Sequence, residues 1–316
     1  MGACLILVGL HLSIGGVYPI PLGEVVRELM GRGGEGQGGF VVWELRFPRA
    51  LSDLVLGAIL AVAGASFQML FRNPLAEPYI VGVSSGAAAG GTLAIVLGTA
   101  TGGTLLGSTV GGLASLALVF ALARGLRLNR STESLLLVGV SLGAMLSGLS
   151  TLFLLLGGHD TNKVLRWLFG NTSNAQWTSV GILSLAGALL LVVLLRYAKP
   201  LNALSLGEEG ARRLGVQTGP LSAWVLATST LAVSLTVGYF GMIGFVGLVS
   251  GHMARHQFGA DLRRSLVGSA WIGATLLLAA DLLAQRLMPG SDLPVGAITA
   301  ILGAPCLIWM IRRPSH

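Results

Sequence analysis

Glu208, Glu209, Arg212 and Arg213 place four charges within six positions of a chain that is only 10% charged. On a helix, Glu208–Arg212 and Glu209–Arg213 are both i,i+4 pairs, with Glu N-terminal to Arg in the favourable order. Such pairs make and break no bonds. They define a short polar helix, bracketed by Gly207 and Gly215, that is too charged to lie in lipid and is offered to solvent or to a soluble partner. Other residue types that do chemistry lack companions. Ser84 and Ser85 of GVSSG have no His partner, and their Gly and Ala neighbours point to close helix packing. His252 and His256 have metal-ligand spacing but sit at a predicted membrane edge beside Arg255, so no metal site is expected. Asp281 is an acid inside an apolar run, costly unless paired. Asp53 follows Arg49 by one helical turn, and a structural Arg49–Asp53 pair and a functional acid stand there as equal readings. Neither acid has a clear companion for a proton relay. With no HExxH, CxxC or GxxxxGK[ST] pattern, the chain offers no catalytic residues, no metal site and no cofactor site of its own.

The elements that position these residues follow from composition. The 316 residues are 53% hydrophobic, with a mean hydropathy of +0.79, where soluble domains carry roughly 25% charged residues. A polytopic, all-α membrane protein forming a single domain over residues 1–316 is the class that fits. The 47 glycines sit inside apolar runs, where they let helix backbones approach closely. Gly82–Gly86–Gly90, Gly107–Gly111, Gly139–Gly143 and Gly247–Gly251 share a four-residue spacing. The net charge of +7 is scattered through short loops, which excludes a nucleic-acid face. Cys4 and Cys306 lie in apolar runs and read as reduced thiols. The N-terminus lacks the positive n-region of a signal peptide and reads as a first, abbreviated span.

Ten spans are expected: Gly2–Val17, Ala50–Phe71, Tyr79–Leu97, Thr104–Ala123, Ser134–Leu156, Trp177–Leu195, Leu221–Gly238, a span ending near His256, Leu266–Leu287 and Val295–Ile311. Tyr18–Pro48 reads as a polar stretch with a flexible Gly31–Gly39 middle. Asn162–Gly170 mixes Leu165, Trp167, Leu168 and Phe169 with Lys163 and Arg166, as a helix at the membrane interface does. Tyr239–Gly251 is glycine-broken and is expected to hold a short half-helix before the eighth span. With both termini inside, Arg72, Arg124, Arg127, Arg130, Arg196, Lys199, Arg212, Arg213, Arg255, Arg263, Arg264, Arg312 and Arg313 fall in the cytoplasm. Arg27, Arg32, Arg46, Arg49, Lys163, Arg166 and Arg286 fall outside. That bias sets the orientation and puts the charged helix in the cytoplasm. Between the second and third spans, Pro74 and Pro78 forbid a continuous helix. The non-helical backbone there either lines a water-filled path or makes a plain tight turn.

At this point the residues resemble a known family. RFPRALSDLVLGAILAVAGASFQMLFRNPLAEPYIVGVSSGAAAG is similar to the second and third spans of the FecCD/BtuC-type permeases, the membrane subunits of type II ABC importers for ferric siderophores, haem and vitamin B12. Leu135–Gly143, Arg166–Trp177, Leu204–Val216, Gly244–Val249 and Leu293–Trp309 match further motifs in order, covering nearly everything beyond about Val41. The resemblance implies a ten-span bundle working as a homodimer. Two cytoplasmic ATPase subunits would bind ATP and Mg, and a periplasmic binding protein would deliver substrate. It implies that Leu206, Gly207, Glu208, Glu209, Arg212 and Arg213 belong to the helix that docks in the ATPase. Asn73, Leu75, Ser131 and Thr132 would match elements of a cytoplasmic gate, and Arg46, Arg49 and Arg286 the outer arginines that meet the binding protein. The chain departs from the pattern at Gly251, where the family usually has Pro, and at Asp53. It departs again at Gln285, where the family's third arginine usually stands, with Arg286 one position, or roughly 100° of helix, further on.

The reading is therefore an importer permease in a bacterial or archaeal cytoplasmic membrane, with specificity held mainly by the binding protein. An ion-coupled secondary transporter is the alternative. It would need partnered intramembrane carboxylates and an inverted repeat, and neither is evident. Nothing in these residues selects among siderophore, haem and cobalamin.

Overall fold

The computed structural model describes residues 2–16, 18–31, 37–125, 132–157, 161–259, 261–288 and 293–311, and they are helical throughout their length apart from short connections. In chain order the helices are α1 (Gly2–Ile14), α2 (Leu22–Leu29), α3 (Gln37–Phe40), a π-helical turn Val41–Arg46, α4 (Phe47–Leu70), α5 (Val83–Val96), α6 (Thr101–Gly125), α7 (Thr132–Leu156), α8 (Thr161–Leu168), α9 (Trp177–Arg196), α10 (Ala198–Ala203), a 3-10 turn Leu204–Leu206, α11 (Glu208–Arg213), α12 (Thr218–Phe240), α13 (Val246–Phe258), α14 (Leu262–Leu287) and α15 (Val295–Ile311). Among the described residues, six helical stretches are long and apolar enough to cross a membrane, and Cys4–Ile14, Val83–Val96 and Val295–Ile308 are shorter apolar helices. With α13, each of the ten expected spans has a helical counterpart.

Three local readings need correction. The polar stretch before the second span is largely helical: α3, the π turn and α4 run together, so the helix reaches back to Gln37. The apolar sequence FVVWEL sustains it, and Trp43 (tilted) and Phe47 (edge-on) pack against Trp177, with the Trp177 indole donating to the Trp43 carbonyl at 3.1 Å. That aromatic group suits a membrane–water boundary. The third helix starts at Val83 rather than Tyr79, because Pro78 and the left-handed Gly82 (φ 83°) hold the preceding residues in turns. No separate half-helix precedes α13: Gly241, at φ 75°, ends α12, and Gly241–Phe245 connects directly to Val246.

One apolar core threads α4, α5, α9, α12, α13 and α14, with Phe67, Leu183, Val225, Leu226 and Leu277 fully buried. α4 is its axis, with seventeen of its residues buried. The glycine spacing does what its pattern suggests. A methyl on Gly64 would lie 2.6 Å from the Cα of Gly247, and one on Gly82 would lie 2.8 Å from the Gly139 carbonyl oxygen. On α5, Gly86 and Gly90 meet the Gly107 and Gly111 backbone of α6 in the same way. The outward faces carry exposed Leu137, Met145, Leu152, Leu185 and Val192, as a surface solvated by lipid requires.

Candidate functional site

The charged segment forms as expected. The 3-10 turn ends at Gly207, whose φ of 91° and ψ of 163° reverse the chain, and Gly215 (φ 79°) follows α11. Arg212 Nη2 donates to Glu208 Oε1 at 2.6 Å and Arg213 Nη2 to Glu209 Oε1 at 2.6 Å. Thr218 Oγ1, at the start of α12, donates to Glu208 Oε1 at 3.1 Å. Ala211 is fully buried and seats the helix on the bundle, while Leu206 and Leu214 are 68% and 63% exposed. A short helix thus carries two exposed ion pairs and is flanked by two exposed apolar side chains. Its base is tied to α14: Asn202 Nδ2 donates to Asp261 Oδ1 at 2.8 Å, and the Leu262 N–H donates to Asn202 Oδ1 at 3.0 Å.

Asp261 caps α14, with its Oδ1 accepting from the Arg263 N–H. The Asn202 amide and that N–H hold its carboxyl below the usual carboxylate range. With a lowered folded value, this capping contribution is complete above the ordinary carboxylate value of ~4 and fades as pH falls through the lowered one. Asn202→Ala should weaken this cap and move the onset of acid unfolding upward, read by a thermal melt at successive pH values.

The loop between α4 and α5 lies at the same end, where the Arg72 guanidinium faces Gly207. Asn73 Oδ1 accepts the Leu75 N–H at 2.9 Å and makes a tight Asx turn, and Leu75 is 37% exposed. Glu77 is buried, with the Phe245 and Leu248 main-chain amides directed at its carboxylate, so the loop is pinned to the start of α13. Ser131 lies outside the described residues, and Thr132 is placed only as the first residue of α7.

The opposite end gathers residues that the sequence left apart. Arg46, expected at the outer surface, is buried. Its Nη1 donates to the Leu12 and Ser13 carbonyls at 2.7 and 2.9 Å, and its Nη2 to the Tyr18 carbonyl. It satisfies the carbonyl end of α1. Arg49 does not take Asp53 as its hydrogen-bonded partner but clamps Asp281: Nε donates to Oδ2 at 2.8 Å and Nη2 to Oδ1 at 2.7 Å. Asp281 also accepts Thr172 Oγ1 at 3.2 Å and the Gln285 amide at 2.6 Å, with His11 Nε2 at 2.9 Å. Asp281 therefore has companions, contrary to the sequence reading. Arg49–Asp53 runs in the less favourable i,i+4 order, whereas Asp281 meets the guanidinium fork with both oxygens. Of the three outer arginines, only Arg286 is exposed. His11, Thr172 and Gln285 were not foreseen. The usable signal was a lone His within the apolar GACLILVGLHLSI run and a Gln one turn after Asp281.

A bundle of long apolar helices sealed by backbone contacts, with one short charged helix at one end, has the build of a multi-pass membrane protein. The chain belongs to the FecCD transport family, whose model matches residues 3–313. It is 37% identical over 318 residues to the vitamin B12 import system permease protein BtuC of Klebsiella pneumoniae subsp. pneumoniae, covering 98% of this chain and 91% of the relative. It is 39% identical over 288 residues to the same-named protein of Salmonella paratyphi A, covering 89% and 86%. A solved structure described as an inward-facing metal-chelate type ABC transporter superposes with a TM-score of 0.86 at 31% identity, covering 98% of this chain and 96% of that one. PsaBC from Streptococcus pneumoniae, with a TM-score of 0.58 at 19% identity over 83% and 90% of the two chains, shares the fold. The chain is a FecCD/BtuC-type permease of the ABC importer class, a transport component whose described residues place a helix at each of the ten expected spans.

Proposed function

We propose that this permease works as a homodimer that passes a bulky metal chelate (ferric siderophore, haem or cobalamin) from a periplasmic binding protein to the cytoplasm of a bacterium or archaeon. Two cytoplasmic ATPase subunits, which carry ATP and Mg, drive it. Both termini and α11 face the cytoplasm in this reading. The observation that carries it is α11 itself, a pre-formed helix of four paired charges flanked on either side by the exposed Leu206 and Leu214. Its neighbour Arg72 belongs to the loop of Asn73 and Leu75, which with Ser131 and Thr132 we read as the cytoplasmic gate, so a push on α11 has a short path to the gate. Arg286, exposed at the other end, is our docking residue for the binding protein, with Arg46 and Arg49 holding the base beneath it. Relatives named for vitamin B12 import and a metal-chelate type neighbour support a large chelate as cargo.

Charge reversal at Glu208, Glu209, Arg212 and Arg213 tests the coupling. The pairs are exposed and contribute only about 0.3–0.5 kcal/mol each to folding, so the variant should fold. Reconstituted with its ATPase and binding protein, it should lose transport by at least about tenfold, the consequence of losing roughly 1.4 kcal/mol of docking energy. Transport at the wild-type rate would refute the docking role.

A further inference from the structure

At the end of the bundle remote from α11, His11 of α1, Asp53 of α4 and Asp281 of α14 are all fully buried, and one ligand atom from each lies within 4.8 Å of the others. His11 Nε2 is 2.9 Å from Asp281 Oδ2 and 3.6 Å from Asp53 Oδ2. Donors bound to one ion at about 2.1 Å stand roughly 3–3.5 Å from each other in tetrahedral or octahedral shells, so these separations suit a shared ion.

Asp281 is explained by its clamp with Arg49, but Asp53 is not. Neither of its carboxylate oxygens accepts a hydrogen bond, although a buried carboxylate ordinarily has a partner or a metal. Gln285 supplies a fourth candidate donor. Its amide nitrogen lies 2.6 Å from Asp281 Oδ2 and 2.9 Å from His11 Nε2, and a half-turn of the amide would direct its oxygen into the same space.

We infer that His11, Asp53 and Asp281, with the Gln285 amide oxygen, form a binding site for one divalent first-row transition ion, resident in each chain and clamping α1 to α4 and α14. One imidazole nitrogen with carboxylate and amide oxygens is a borderline donor set suited to Zn²⁺ or Mn²⁺ rather than to Mg²⁺. The ion is distinct from any transported chelate, since the three ligands are closed off from solvent and no bulky molecule fits between them. The inference does not depend on the cargo or on the ATPase.

The test uses the full chain, purified in detergent with a tag free of histidine, stripped with a chelator and then dialysed against Zn²⁺. Elemental analysis should find one Zn²⁺ per chain, with the thermal midpoint raised by several degrees. Asp53→Asn and His11→Gln should lose both effects, while His252→Gln combined with His256→Gln, which removes the i,i+4 histidines of α13, should keep them. If the cluster variants do not fold, X-ray absorption of Zn²⁺-loaded wild-type protein decides: one imidazole and several oxygens at about 2.0–2.1 Å support the site. Substoichiometric zinc in wild-type protein, or full retention in folded Asp53→Asn, overturns it. A midpoint that responds to pH but to no metal assigns the cluster to a proton and equally overturns it.

Discussion

Arg49→Met should destabilise the metal-free chain by about 3–5 kcal/mol, the penalty for stripping one partner from a buried ion pair. Arg49 is the cation of a cluster that buries two carboxylates, and it meets Asp281 with two hydrogen bonds of 2.8 and 2.7 Å. Without it, Asp281 keeps only the neutral donors Thr172 and Gln285 beside His11, with a second acid in the same apolar pocket. Because the loss comes from an orphaned charge, it should be reversible. Arg49→Met with Asp281→Leu should be less destabilised than Arg49→Met alone, since an apolar pair of similar volume can replace a buried ion pair at little cost. A double-mutant cycle on thermal or denaturant midpoints in detergent measures this. A single variant within 1 kcal/mol of wild type, or a double variant worse than the sum of the singles, would contradict the account.

Gly90→Leu should be more damaging than any loss of an apolar core side chain of similar size. A side chain there runs into the Gly107 carbonyl and the Gly111 backbone of α6, and no rotamer change moves a main-chain oxygen. Overpacking costs about 1–3 kcal/mol and occasionally more, and a clash with main chain belongs at the upper end. Here it parts two helices that meet through main chain and small side chains, so little folded protein should be recovered from membranes. Gly181→Ala on α9, where an added methyl meets nothing within 4 Å, is the matched control. It should be neutral or stabilising by roughly 0.5–1 kcal/mol. Size-exclusion recovery of the two variants side by side separates steric overlap from a general intolerance of glycine replacement.

These two cases also mark how far the residues alone reach. The glycine contacts were legible because four-residue spacing puts small residues on one helix face, and α11 because both of its ion pairs are local. The start of α5 was misplaced by four residues, because Pro78 and Gly82 act through turns that hydropathy does not register. The acidic cluster was illegible for a different reason. Arg49 and Asp53 are neighbours in sequence, while Asp281, which Arg49 clamps with both donors, is 232 residues away. In an apolar interior, pairing is decided by which helices pack together, and that depends on the whole bundle. Likewise the arginines that the family resemblance places on the outer surface differ by their surroundings: the carbonyl end of α1 captures Arg46 and Asp281 captures Arg49, leaving Arg286 outside.

The seam between α5 and α6 carries one more implication. Helices that interdigitate through long side chains can slide by exchanging rotamers, but Gly86, Gly90, Gly107 and Gly111 meet only main chain and the short side chains of Ser115 and Ala94. Any sliding or rolling would drive carbonyl groups into the opposite main chain, so the pair must travel as one stiff plank. Flexing during a transport cycle is thereby displaced to the joints at its ends, where the Phe71–Gly82 loop feeds the plank.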